Sequence, residues 1–211
     1  MKDKKIIFAG AIFLAGIIFA AMLAWGWASL RIESYKDGPV SAPHVSDAEN
    51  KLPKITLKPS FYEEEALKKA IAEGDRKKKL GNVRAIISPH HFLAADMIAS
   101  IIAEASGRPI GRIIIIGPNH GHIGIEAFAT AVASWETPFG WLDTDSASVR
   151  VFMADFNLSS NLSAFEDEHA VGSITVIAKK YLPEARLLPI LVNPSAGGES
   201  AHRLSDWLSA N

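Results

Sequence analysis

The 211-residue chain contains seven histidines and no cysteine. Without a thiol there can be no disulfide framework, no thiol nucleophile and no Cys-ligated zinc or iron–sulfur site. Zero cysteines favour a nitrogen and oxygen ligand set for any metal. Two histidine clusters stand at matched places. Ser88-Pro89-His90-His91 follows the apolar run Val83-Arg84-Ala85-Ile86-Ile87, and Gly117-Pro118-Asn119-His120-Gly121-His122 follows Arg112-Ile113-Ile114-Ile115-Ile116. Both runs read as strands, and ligands in open α/β sheets collect beyond the carboxyl ends of strands. If the two runs are neighbours, His90 and His120 emerge together on one sheet edge, with His91 and His122 as alternates. The prolines preceding each cluster would stiffen the turns that aim the rings.

A third cluster, Glu166-Asp167-Glu168-His169, opens a predicted helix. Acidic residues in a first helical turn favour the helix dipole, and that effect accounts for Glu166 to Glu168 without any site. It leaves His169 unexplained. This imidazole beside carboxylates could be a further ligand, or a general base oriented by its neighbour. Imidazoles with a carboxylate and an open position are the usual setting of non-haem iron or catalytic zinc. His44 and His202 have no companion that suggests chemistry. There is no Gly-x-Ser-x-Gly elbow and no Lys-Ser/Thr after the Gly117–Gly124 glycines, so neither a hydrolase nucleophile nor a phosphate loop is anchored. Trp135-Glu136-Thr137-Pro138-Phe139-Gly140 reads as a turn whose aromatics pack in the core, with a pocket wall as the other reading.

These loops need elements to hold them. Helices are predicted over residues 93–105, 145–154, 170–181 and 199–209, with strands at 83–87, 112–116, near 125–132 and at 186–192. The four isoleucines 113–116, with no polar alternation, predict a strand buried on both faces, as in a parallel sheet. Strand, helix, strand over 83–116 would be a right-handed βαβ unit, and the alternation as a whole predicts a layered α/β domain with a mainly parallel central sheet. Upstream, Ser60-Phe61-Tyr62-Glu63 fits a capping box for a helix that closes at Gly74. The run Asp75-Arg76-Lys77-Lys78-Lys79 reads as a solvated helix end, with a lipid-headgroup or nucleic-acid patch as the other reading.

Charge and hydropathy divide the chain further. The totals nearly balance, with 22 basic and 23 acidic side chains, but residues 1–82 carry 14 and 10 while 83–211 carry 8 and 13. An acidic folded portion repels phosphate backbones, so no nucleic-acid partner is expected. Ile6 to Leu30 holds no formal charge. A helix over 6–28 would be about 35 Å long, enough to span a hydrocarbon core. Lys2, Lys4 and Lys5 precede it and Trp25 and Trp27 sit near its far end, the pattern of an uncleaved single-pass anchor with a cytoplasmic N-terminus and an extracytoplasmic domain. Residues 31–59, with four prolines, read as a linker, leaving 60–211 as the domain.

The motifs Arg84-Ala85-Ile86-Ile87-Ser88-Pro89-His90, Ile115-Ile116-Gly117-Pro118-Asn119-His120, Thr137-Pro138-Phe139-Gly140, Glu166-Asp167-Glu168-His169 and Leu188-Pro189-Ile190-Leu191-Val192 occur in an order that resembles the MEMO family. Bacterial and archaeal members of that family are called AmmeMemoRadiSam system protein B. The resemblance covers about residues 83–211. It implies an α/β sandwich similar to the class III extradiol (LigB-type) dioxygenases, in which two histidines and a carboxylate hold Fe(II) and another histidine serves as acid/base. Carried over by motif, His90 and His120 would be metal ligands, and His169 the catalytic acid/base or an additional pocket ligand. Iron or copper would be the metal, with zinc possible on the same donors.

The family pattern continues past this chain's Asn211 into a strand with a Ser-Ser-Asp-x-x-His-like motif that normally supplies the remaining ligand, so a C-terminally truncated domain is expected. Where the family reads Ser-x-Glu after Glu-His, this chain has Ala170-Val171-Gly172. The functional expectation is oxidative non-haem metal chemistry on an unknown small-molecule or peptide ligand. The alternatives are a non-catalytic ligand-binding or scaffold module using the same pocket, and a metal-dependent hydrolase with the same ligands.

Overall fold

A computed structural model of the chain describes residues 55–59 and 61–211. The proposed anchor at 6–30 and nearly all of the linker lie outside these residues. Among the described residues no helix is long and apolar enough to cross a membrane.

In chain order the elements are strand β1 (Thr56–Leu57), helix α1 (Glu64–Gly74), a single 3-10 turn (Phe92–Ala94), helix α2 (Ala95–Ala105), strands β2 (Arg112–Pro118), β3 (Phe128–Ala129), β4 (Ser134–Thr137) and β5 (Gly140–Asp143), helices α3 (Ser146–Phe156), α4 (Ser163–Glu166) and α5 (His169–Tyr181), strand β6 (Arg186–Val192) and helix α6 (Gly198–Ala210). The result is a mixed α/β domain. The later elements match the sequence periodicity closely, and β6 coincides with the run read from it.

The sheet differs from expectation. Instead of one mainly parallel sheet, the described residues form two three-stranded mixed sheets, ordered β1-β4-β5 and β2-β6-β3. β1 runs parallel to β4 and β2 parallel to β6, while β4–β5 and β3–β6 are antiparallel. A parallel bridge between Thr144 and Leu187 links the two sheets. Residues 83–87 form no strand, and Ile87 is 98% exposed. The expected βαβ unit over 83–116 therefore lacks its first strand. β-branched side chains favour extended backbone, but a ladder also needs a neighbouring strand to accept its hydrogen bonds, and none lies there among the described residues.

The strand predicted to be buried on both faces is likewise corrected. β2 has a single described neighbour, and Ile116 is 43% exposed. The central position belongs to β6, whose Leu187, Leu188, Ile190 and Leu191 are fully buried. Its side chains alternate between two apolar layers, as the strand pleat requires. Leu187 and Leu191 join Trp135, Leu142, Phe165 and Val171, and Leu188 and Ile190 join Phe128, Phe152, Leu204 and Trp207. A third cluster, built on Leu67, Ile98, Ile102, Val176 and Ile177, fastens α1 and α2 to α5.

Two smaller readings also change. The first helix begins at Glu64 with Glu63 as its N-cap and no side-chain cap bond, so the Ser60 capping box does not define its start. Residues 134–143 form a β-hairpin, with Gly140 at φ +102° closing the tight turn where a side chain would be strained. Trp135, 1% exposed, is core as expected and meets the Phe165 ring edge-on at 6.0 Å.

Candidate metal centre

His90 leaves the irregular stretch 83–90, His120 stands two residues beyond β2, and His169 is the first residue of α5. These three elements meet. The His90 and His120 ring centroids are 5.1 Å apart, His90 and His169 5.5 Å, and His120 and His169 stack at 4.2 Å with 19° between planes. One ligand nitrogen from each ring lies within 4.8 Å of the other two. Two imidazoles on one ion, at about 2.0–2.1 Å per bond, can be no more than about 4.2 Å apart, so coordination by all three requires the trio to close and the stacked His120 and His169 rings to turn toward a common point. Three imidazole nitrogen donors in this arrangement fit a borderline divalent transition metal.

Local chemistry explains the convergence. Asn119, 1% exposed, holds the Gly-His loop: its N–H donates to the Val192 carbonyl at 2.9 Å, its side-chain amide donates to the Ile123 carbonyl at 3.0 Å, and its Oδ1 accepts from the Ile123 N–H at 3.3 Å. His120 is thereby turned outward from the end of β2. Gly117 lets α5 come close, because a Cβ there would meet the Ala170 Cβ at 2.8 Å. Only a residue without a side chain allows the His169 end of α5 to approach the strand that carries His120.

Glu168 is the buried charge of the site, with its side chain 3% exposed. One carboxylate oxygen accepts the His120 N–H at 2.7 Å. The other accepts the Ala170 N–H at 2.8 Å and lies 2.7 Å from His120 Nδ1. Burial works against its charge, but the Ala170 N–H and the two His120 donors outweigh burial and hold the carboxyl below its usual range. In the sequence Glu168 reads as a helix-dipole residue or as a carboxylate partner of the adjacent His169. Its contacts with a residue 48 positions away were not legible there, since nothing in a linear pattern separates a cap from a cap that also reaches another loop.

The alternates divide. The His91 ring centroid is 5.5 Å from that of His169, but its Nδ1 caps the 3-10 turn by accepting the Leu93 N–H at 3.3 Å, and it is not one of the clustered donors. His122 adopts a left-handed backbone with φ 51° and also stays outside the trio. Phe61, which the sequence reading did not single out, stands edge-on to His169 at 5.4 Å and forms part of the site's wall.

Burial, and next the neighbouring His120 ring, lower the pKa of both His90 and His169 below 6.5. Both rings are therefore neutral at neutral pH and can bind a metal without losing a proton. For folding, the sign follows from proton counting. Between the depressed folded values and 6.5 the unfolded chain binds more protons than the native one, so stability is fully present above pH 6.5 and declines as pH falls below it. Urea midpoints measured from pH 7.5 down to 5.5 should therefore decrease, and the decrease should shrink in a His90→Ala/His169→Ala chain. A midpoint that held steady or rose on acidification would contradict this.

The sequence profile of the Memo-like protein family matches residues 57–210. Among curated proteins, the chain is 33% identical over 87 residues to a MEMO1 family protein of Pyrobaculum arsenaticum, an alignment covering 41% of this chain and 31% of that protein. It is 28% identical over 117 residues to one of Caldivirga maquilingensis, covering 52% and 40%. It is 25% identical over 132 residues to one of Aquifex aeolicus, covering 59% and 35%. The chain thus spans well under half the length of these relatives. The profile, by contrast, runs through almost the whole described unit and includes all three clustered histidines, so the chain belongs to the Memo-like protein family.

Proposed function

We propose that this Memo-like chain binds a divalent transition metal through His90, His120 and His169, and that the site serves oxidative non-haem chemistry on a small-molecule or peptide ligand. The carrying observation is the convergence of three imidazole donors within 4.8 Å from three separate elements. Iron or copper suits the donor set, with zinc as the redox-inert possibility. When bound, such an ion polarises substrate oxygen atoms or exchanges electrons with them. His90 and His120 act as ligands. His169, stacked on His120 and 3.7 Å from Glu168, has the position to move a proton at its imidazole as well as to complete the donor set. The proposed occupants of the site do not include nucleic acid, because the charge of residues 83–211 is net acidic.

Calorimetric titration of the full chain with Fe(II), Cu(II) and Zn(II) tests the reading. One ion bound per chain is the expected result, and binding without stoichiometry would overturn it. Stoichiometric binding with no consumption of oxygen or candidate ligand would favour the non-catalytic binding module, and release of a hydrolysed product would favour the hydrolase.

The proposal extends to location. The uncharged stretch Ile6 to Leu30, preceded by Lys2, Lys4 and Lys5, supports a single-pass anchor with its N-terminus in the cytoplasm and the domain outside it. Protease added to the outer face of spheroplasts should digest the domain. Digestion only from the cytoplasmic face of inverted vesicles would reverse the orientation, and recovery of the full chain in the soluble fraction would remove the anchor.

A further inference from the structure

We infer that Glu168 is the positioning residue of the site, a buried carboxylate that fixes the His120 tautomer and so determines that His120 offers Nε2, and only Nε2, to an incoming ion. The inference deepens the metal-site reading and rests on it for its functional meaning, but its structural core concerns the metal-free protein.

Helix capping does not explain this side chain. Capping is served best by Asn, Asp, Ser or Thr at a helix start, and it would require only the bond from the Ala170 N–H. Glu168 does more. Its two oxygens take both the backbone N–H and the ring Nδ1 side of His120, at 2.7 Å each, across 48 residues of sequence. The longer glutamate arm serves the helix end and the β2 loop together.

The hydrogen-bond inventory then assigns the proton. A charged carboxylate only accepts, so the His120 nitrogen facing it must be the N–H, and in the neutral imidazole the remaining nitrogen, Nε2, carries the free lone pair. A carboxylate behind a ligating imidazole also raises the basicity of the ligand and locks its ring orientation. The three imidazoles are not equivalent in this respect. His169 Nδ1 stands 3.7 Å from the same carboxylate, beyond hydrogen-bond length, and among the described residues His90 makes no hydrogen bond. His120 is thus the fixed ligand of the trio, and His90 and His169 are the adjustable ones.

The test reads the proton directly. In the metal-free full chain at pH 7.5, long-range ¹⁵N–¹H correlations of labelled histidine should show His120 protonated on Nδ1 with a bare Nε2. Glu168→Ala should release this into a tautomer mixture, with Zn(II) affinity falling about 10- to 100-fold. Because Glu168→Ala also removes the helix cap, Glu168→Gln serves as the second variant. Its amide oxygen can keep the Ala170 and His120 Nδ1 bonds, so the tautomer should persist while the affinity drops by a smaller factor. A His120 ring protonated on Nε2 in the unaltered chain, or an Nδ1–H that survives in Glu168→Ala, would overturn the inference. If the tautomer behaves as stated yet no ion binds stoichiometrically, the metal reading fails and the positioning role stands.

Discussion

A His120→Ala chain is expected to lose more than about a hundredfold in affinity for a divalent transition metal relative to the unaltered chain. Loss of an outer partner of a ligating histidine typically costs 10–100-fold, and loss of the ligand itself must exceed that. The ring of His120 stacks on His169 at 4.2 Å and lies 5.1 Å from His90, and its removal leaves two of the three donors. The substitution has a second cost, because it deprives the buried Glu168 carboxylate of the Nδ1 donor, a loss of about 1–3 kcal/mol. His90→Ala separates the two effects. It removes a ligand while leaving every hydrogen bond of Glu168 in place, so it should lower affinity with little change in thermal midpoint. His202→Ala, on the exposed face of α6, is the control and should bind like the unaltered chain. Calorimetric titration of all four proteins decides the matter. Equal affinities in the unaltered and His120→Ala chains would dismantle the metal centre.

Phe152→Ala should destabilise the fold by about 3–5 kcal/mol while leaving the metal stoichiometry of the folded fraction unchanged. Phe152 has no exposed surface, and its ring contacts Phe156 at 4.6 Å, Trp207 at 5.1 Å and Phe128 at 6.0 Å. Truncation would remove the apolar contacts of a whole ring and leave a void beneath α3 and α6. That void cannot close easily, because Trp207 is tethered by its indole N–H to Asp155 at 2.8 Å. This cluster contains none of the three site histidines, so its loss should act on stability alone. Urea unfolding gives the magnitude, and titration of the refolded protein gives the stoichiometry. A loss below about 1 kcal/mol would mean that the aromatic layer relaxes around the gap.

Together the two variants separate a site assembled by converging loops from the core that holds those loops in place. Metal occupancy should depend on the first and thermal stability chiefly on the second. One connection between them is explicit. Gly117 permits the close approach of α5 to β2, and without it the stacking of His169 on His120 would have no room.

Much of this was legible in residue order. The histidines following the runs at 87 and 116 pointed to a shared edge on condition that both runs were neighbouring strands; the His90 and His120 rings lie close, although residues 83–87 form no strand and His90 comes from irregular chain. Helices α3, α5 and α6 and strand β6 followed from apolar period and length, which are local properties. The five ordered motifs, which span 84–192, supplied the family before any coordinates did.

Other features depend on partners distant in sequence. The Val83–Ile87 run has strand-like composition but forms no ladder, because pairing needs a neighbour that composition cannot provide. The isoleucines of β2 suggested burial on both faces, but the strand has one described neighbour, and the fully enclosed role went to β6. Glu168 is the sharpest case. Its identity and its place before a helix pointed to a dipole effect or to a carboxylate partner of His169, whereas its function arises from bonds to His120, which only the folded chain brings within reach. Which residue types could bind a metal was written in the chain, because donor chemistry belongs to the side chain itself. Which rings meet, which nitrogen faces outward and which carboxylate orients it were decided by tertiary structure, because those depend on distances between segments that have no local code.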